Sequence, residues 1–180
     1  NRDPAGIPFR QVDGTPARPQ SFATDAPMNG QLAETSPLPP EGAVEGWSFL
    51  ENELLGMVDH VLAKYRGDPS RVYLTGLSYG GYGTWYLAAN HPGRFAAIAP
   101  VVGHGHVDHA LPLATARMPI WQFAGGRDGA VPPRGFYGVL NEIERLGHRD
   151  IRFTIEADMG HDAWVRVYQS ADLYAWFLQH

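Results

Sequence analysis

With 180 residues, 44% of them hydrophobic and 18% charged, the chain is long enough to bury one sizeable core and too apolar to be a disordered segment. A net charge of -5 without a basic cluster argues against nucleic acid as a partner. The absence of cysteine excludes a disulfide scaffold, thiolate catalysis and any cysteine-ligated metal. No apolar run approaches the roughly 20 residues that cross a bilayer as a helix, so a membrane is not expected as a partner either.

Residues 1–46 form a proline-rich irregular segment: eight of the 15 prolines fall in the first 40 positions, and apolar residues are scattered without period. Within it, Ser21-Phe22-Ala23-Thr24 offers a short strand before Asp25-Ala26-Pro27, and Pro37-Leu38-Pro39-Pro40 a rigid connector. The start at Asn1 rather than methionine, with this proline-rich lead, suits a secreted or periplasmic mature protein, and a trimmed piece would look the same.

From residue 47 to 180 the pattern is that of one α/β domain. Trp47, Leu50, Leu54, Met57, Val58, Val61, Leu62 and Tyr65 recur at three- and four-residue intervals and predict a helix with one apolar face. Gly67-Asp68-Pro69-Ser70 ends it and leads into a short strand over 71–75. A helix to about Asn90 follows, closed by His91-Pro92-Gly93, and Phe95 to Val102 reads as a strand buried on both faces. Pro119 to Ala124 is a third strand, 134–146 a helix capped by Gly147, 150–156 a fourth strand, and the last helix carries Val167, Leu173, Trp176 and Phe177. Such alternation predicts a doubly wound, mostly parallel sheet flanked by helices.

The first of those strands runs into Gly76-Leu77-Ser78-Tyr79-Gly80, which matches G-x-S-x-G, the sharp strand-to-helix turn that exposes a serine nucleophile. A side chain at Gly76 or Gly80 would collide with neighbouring backbone. Taken alone, the same five residues would serve as an ordinary turn.

In a doubly wound sheet the reactive groups gather at the carboxyl ends of the strands. Ser78 follows the first clear strand, Asp128 the third and His161 the fourth, which brings all three to one sheet edge in the order Ser, Asp, His. A serine hydroxyl needs a base as it attacks. Imidazole, with an unperturbed pKa of about 6.5, can take the proton and return it, and a buried carboxylate holds the imidazole in the right tautomer. These roles fall to Ser78, His161 and Asp128. Asp128 in Gly-Arg-Asp-Gly would also pass as a turn residue with a local hydrogen bond. Asp158 is the nearest competing acid, and three residues before His161 it is better placed to shape the histidine loop. His161 could also open a helix, with Asp162 as its cap.

Gly103-His104-Gly105-His106-Val107-Asp108-His109 invites a metal reading. His-x-His on a loop is not a preformed tetrahedral set, however, and no further ligand is evident, so no metal site is assigned. The segment reads instead as a loop rimming the active-site mouth. Tyr79 and Trp164 are candidate substrate-binding residues, and Trp47, Tyr82 and Trp121 are further candidate pocket aromatics; each fits the core at least as well.

Residues 68–85 and 91–100, together with Gly126-Arg127-Asp128, Val131-Pro132 and Gly160-His161-Asp162-Ala163-Trp164, resemble α/β-hydrolase serine esterases of the polyhydroxybutyrate-depolymerase, carbohydrate-esterase and dienelactone-hydrolase-like group. The resemblance covers roughly 47–180. It implies the α/β-hydrolase fold, hydrolysis of carboxylic esters through an acyl-serine intermediate, a small-molecule or polymeric ester as substrate, and no cofactor. A serine peptidase of the same fold and a non-catalytic binding module are the alternatives.

The departure from the family lies upstream, where its members carry further strands and a His-Gly-containing loop that supplies a second oxyanion donor. The backbone N–H of Tyr79 can be one donor, but no such loop occurs in residues 1–46, and losing one donor costs on the order of 100- to 1000-fold in turnover. The expectation is therefore a chain that is part of a larger enzyme, with the missing strands removed or on another chain. A sheet of only four or five strands that leaves the Ser78 strand open to solvent would count against it.

Overall fold

The computed structural model describes residues 23–28, 31–33 and 47–180. The first strand, β1, is Ala23–Asp25, and the helix predicted from the Trp47 periodicity is α1, Trp47–Lys64. Then come β2 (Tyr73–Leu77), α2 (Tyr79–Asn90), β3 (Ala97–Val101), α3 (Ala110–Ala116), β4 (Ile120–Gly125), α4 (Tyr137–Arg145), β5 (Ile151–Glu156), α5 (Trp164–Gln169) and α6 (Ala171–Phe177). The strand order is β1-β5-β4-β3-β2. Strands β2 to β5 are parallel, and β1 lies antiparallel on β5 with Ala23 opposite Glu156. This is the mostly parallel, helix-flanked sheet that the sequence predicted.

Every residue of β3 and β4 is buried, because helices cover both faces of the sheet. On one face α2, α3 and α4 pack Trp85, Leu113, Phe136, Leu140 and Ile143 against Ile98, Ile120 and Phe153. On the other, α5 and α6 pack Val167, Leu173 and Phe177 against Val101, Trp121 and Phe123. The neighbours Ile120 and Trp121 thus serve different cores, which is the alternation of a strand. Inside the first core the Trp85 indole donates to Gln122 at 2.8 Å, and Gln122 donates to the Pro100 carbonyl at 3.0 Å, so the polar groups sealed there are satisfied.

Several details differ from the expectation. The strand at the elbow is 73–77 rather than 71–75, because Pro69–Arg71 forms a 3-10 turn capped by Asp68. The helix α3 had no strong apolar period, and the last helix is two, broken at Ser170, whose hydroxyl caps α6. The short strand expected over 21–24 is Ala23–Asp25, and Ser21 and Phe22 lie outside the described residues, as does the connector at 37–40. The apolar face of α1 forms as expected but stays partly open: Leu54 and Leu55 pack against the first core, none of its residues is buried, and Leu50, Met57 and Val61 are at least half exposed. What ties α1 to α2 and the turn beyond it is Trp47, packed on Gly83, with the pairs Glu51–His91 and Asp59–Arg94.

Among the described residues, β2 lies beside α1 at the edge of a five-stranded sheet, with Thr75 and Leu77 exposed. This is the arrangement that was to count against a larger enzyme. A chain that lacks neighbouring strands would present the same edge.

Candidate active site

The Gly76–Gly80 turn is built where β2 passes into α2. Ser78 has φ 53° and ψ -116°, a left-handed backbone that a residue with a side chain adopts at a cost of about 1–3 kcal/mol. Two features hold it there. The Ser78 amide donates to the Val101 carbonyl at 2.9 Å, continuing the β2–β3 ladder into the turn. The Ser78 carbonyl accepts from the amides of Gly81 and Tyr82 at 2.8 and 3.2 Å, which starts the helix at once. The turn is so tight that a Cβ on Gly76 would overlap the Gly80 carbonyl, so Gly76 is required by close approach, whereas a Cβ on Gly80 would meet nothing within 4 Å and the collision expected there does not arise.

Asp128 lies in the loop after β4. Its Oδ1 accepts from the amides of Ala130 and Val131, both at 2.8 Å, and its Oδ2 faces His161 Nδ1 at 2.7 Å. The local turn bond and the bond to histidine were alternatives in the sequence; one carboxylate makes both, on different oxygens. Its side chain is fully buried, while that of His161 is 31% exposed. On the other side of the ring, His161 Nε2 stands 2.9 Å from Ser78 Oγ. Three residues dispersed in sequence thus form one hydrogen-bonded file, with the carboxylate sealed and the hydroxyl end half-open.

The acid and histidine loops form one unit. Arg127 N donates to Met159 O and Gly126 N to Glu156 O, both at 2.8 Å, and a Cβ on Gly125 would overlap the carbonyl of Gly160. Asp158, the competing acid, is buried and its Oδ2 accepts from Arg166 at 3.0 Å. Asp162 is exposed and Gly160 holds the cap position before His161.

The remaining candidates divide. Tyr79 opens α2, where helix geometry leaves the first amides without an intrahelical acceptor, and the residue is 57% exposed next to Ser78. The Trp164 ring meets the His161 imidazole edge-on, with centroids 5.4 Å apart. Trp121 is buried in the second core under the Arg152 guanidinium, and Trp47 lies on Gly83, so both are packing residues. Tyr82 is buried, and burial, with the Asp128 charge secondary, pushes its hydroxyl up to about 12.

In the histidine-rich loop, His106 Nδ1 accepts from the Asp108 amide and His109 Nδ1 from the His106 amide, both at 3.2 Å, a reciprocal cap of the turn before α3. The His104 ring stands edge-on between Tyr82 and Phe136. Among the described residues no group of three or more His, Asp or Glu could hold a metal ion. A cavity of about 800 Å³ lies by α5 and α6, lined by Trp121, Phe123, Arg152 and Trp176, and Ser78 is not part of its wall.

Residues 51–110 match the prolyl oligopeptidase family, which spans the elbow and β3. Poly(3-hydroxyalkanoate) depolymerase C of Paucimonas lemoignei is 51% identical over 47 residues, 26% of this chain and 11% of that protein. The putative esterase NocK of Nocardia uniformis subsp. tsuyamanensis is 32% identical over 139 residues, 70% of this chain and 40% of that one. Among solved structures, a thermostable esterase superposes with a TM-score of 0.64 at 27% identity, over 71% of this chain and 35% of that one. The chain has the α/β-hydrolase fold. Its likeness is to proteins named as esterases and a depolymerase, and it spans less than half the length of each of these three relatives.

Two residues near the Ser78–His161–Asp128 file carry no motif in the sequence. Arg166 and Glu156 are paired beneath the histidine loop, and the only trace in the sequence was a lone cation inside the apolar run Ala163–Val167.

Proposed function

We propose that the chain carries the catalytic centre of a serine ester hydrolase acting through an acyl-serine intermediate. The observation that supports this reading is the file Ser78–His161–Asp128, with separations of 2.9 and 2.7 Å. As Ser78 Oγ attacks the ester carbonyl carbon, its proton passes to His161 Nε2. Asp128, facing Nδ1, favours the tautomer that leaves Nε2 free to accept and stabilises the imidazolium that forms. Negative charge then develops on the former carbonyl oxygen, for which the Tyr79 amide at the start of α2 is the donor, where the helix dipole favours an anion. Collapse of this intermediate breaks the bond to the alcohol, which leaves with the proton from His161. Water, deprotonated by the same imidazole, attacks the acyl-serine, releases the acid and restores the serine.

The match to the prolyl oligopeptidase family over 51–110 favours a peptidase as the second reading, since the same file can attack an amide. Short-chain p-nitrophenyl esters assayed beside aminoacyl p-nitroanilides separate the two. The expected result is ester turnover, with stoichiometric labelling of Ser78 by a fluorophosphonate, both abolished by Ser78→Ala. Ester turnover that survives Ser78→Ala overturns the assignment, and a wild-type chain that is neither labelled nor active points to a binding module.

A further inference from the structure

The segment from the end of β5 to the first turn of α5 leaves the sheet at Glu156, passes Asp158, delivers His161 and returns through Trp164 to Arg166. Arg166 closes it. One terminal nitrogen of its guanidinium donates to Glu156 Oε2, and the other donates to Asp158 Oδ2 at 3.0 Å. The pair is sealed: the Arg166 side chain is 14% exposed, that of Glu156 6%, and that of Asp158 not at all. Buried carboxylates that lose such a cation must protonate or move. Within the same loop the Met159 amide donates to the Glu156 carbonyl at 3.0 Å and the Met159 carbonyl accepts from the Arg127 amide. The turn that the guanidinium grips is therefore the turn that is hydrogen-bonded to the Asp128 loop.

We propose that Arg166 is a positioning residue for His161: by bridging Glu156 and Asp158 it fixes the turn that carries the imidazole to Ser78 and Asp128. Arg166 touches neither the hydroxyl nor a reacting atom, and it acts through the backbone of 156–161. The fork of a guanidinium suits the task, because its two ends can hold two carboxylates at fixed separation, whereas an ammonium is a single point of charge. The role as it bears on turnover rests on the esterase reading given above; the geometry of the histidine does not.

The test uses the full chain with Arg166→Met, Arg166→Lys and Asp158→Asn. Two readouts are taken on folded protein: kcat and KM for p-nitrophenyl acetate, and the downfield proton resonance of the His161 Nδ1–H shared with Asp128. In Arg166→Met, kcat is expected to fall about 10- to 100-fold with KM unchanged, since small misplacement of a base costs rate rather than affinity, and the downfield resonance is expected to broaden or vanish. Arg166→Lys should restore part of both. Asp158→Asn, which keeps the Arg166–Glu156 pair, should give the same split in milder form and stands in if Arg166→Met does not fold. An unchanged kcat and resonance in either folded variant overturns the proposal, as does a loss that follows the unfolded fraction alone and that lysine does not rescue. A wild-type chain without ester turnover sinks the esterase reading instead, and the resonance alone then decides the positioning role.

Discussion

Asp128 shows how much one side chain can be asked to do. Two backbone amides hold its Oδ1 and the imidazole meets its Oδ2, so the same carboxylate shapes its loop and orients the histidine. Asp128→Asn separates the two tasks. Its amide oxygen would keep the bonds to Ala130 and Val131, leaving the NH2 group against Nδ1 and the ring proton on Nε2, where it blocks acceptance from Ser78. The expected outcome is near-wild-type stability with kcat lower by on the order of 10⁴, read by thermal unfolding and ester turnover. Tyr82 supplies a pH test. Burial raises its hydroxyl from 10.0 to about 12, so the folded state holds that proton more tightly than the unfolded one. Its contribution to stability is complete below the unfolded value and disappears as pH rises from 10.0 to about 12. Tyr82→Phe should flatten the stability curve in that window; an unchanged alkaline transition would show that another group governs it.

At the level of elements, the site depends on loops that meet backbone to backbone. Gly125→Ala puts a methyl group into the Gly160 carbonyl one residue before His161. Gly129, four residues on in the same loop, has nothing within 4 Å of an added Cβ. Gly125→Ala is expected to lose most of its kcat and Gly129→Ala to stay within about 0.5 kcal/mol of wild-type stability with full activity. Equal effects at the two positions would mean that the contact between the loops is not what places the histidine. Strand and helix identity in this region was legible from period alone: Ile151, Phe153 and Ile155 alternate, and β5 forms there. The start of β2 was not, because Asp68 caps a 3-10 turn that competes locally for Arg71. Helix α3 was missed for a related reason: at seven residues, packed between α2 and α4, it owes its existence to neighbours rather than to its own period.

For the whole molecule, the open edge of β2 and the exposed apolar side of α1 lie together. Leu54, Val58 and Leu62 of α1 face Val72 and Leu74 across a groove of about 510 Å³, and Met57 and Val61 stand at its rim with 60% and 50% of their surface exposed. A contiguous apolar surface beside an unpaired strand edge promotes association. The 180-residue chain is therefore expected to bind an apolar reporter dye and to associate as its concentration rises. Val61→Glu should reduce both and leave fluorophosphonate labelling of Ser78 intact. Dye binding that Val61→Glu leaves unchanged would place the sticky surface elsewhere.

By itself the sequence predicted the four parallel strands in order, most of the helices, the sharp turn around Ser78, and Ser78, Asp128 and His161 as groups at one sheet edge, since period and glycine spacing are local properties of the chain. It also predicted that α1 has an apolar face. Only the tertiary structure decided whether that face is covered, because burial depends on what lies opposite, which no local pattern records. The same holds at the site. That Asp128 rather than Asp158 faces the imidazole, and that Asp158 instead turns to Arg166 with Glu156, follows from how two loops pack at the sheet edge. A buried charge finds its partner in space, and the sequence between them carries no mark of the pairing.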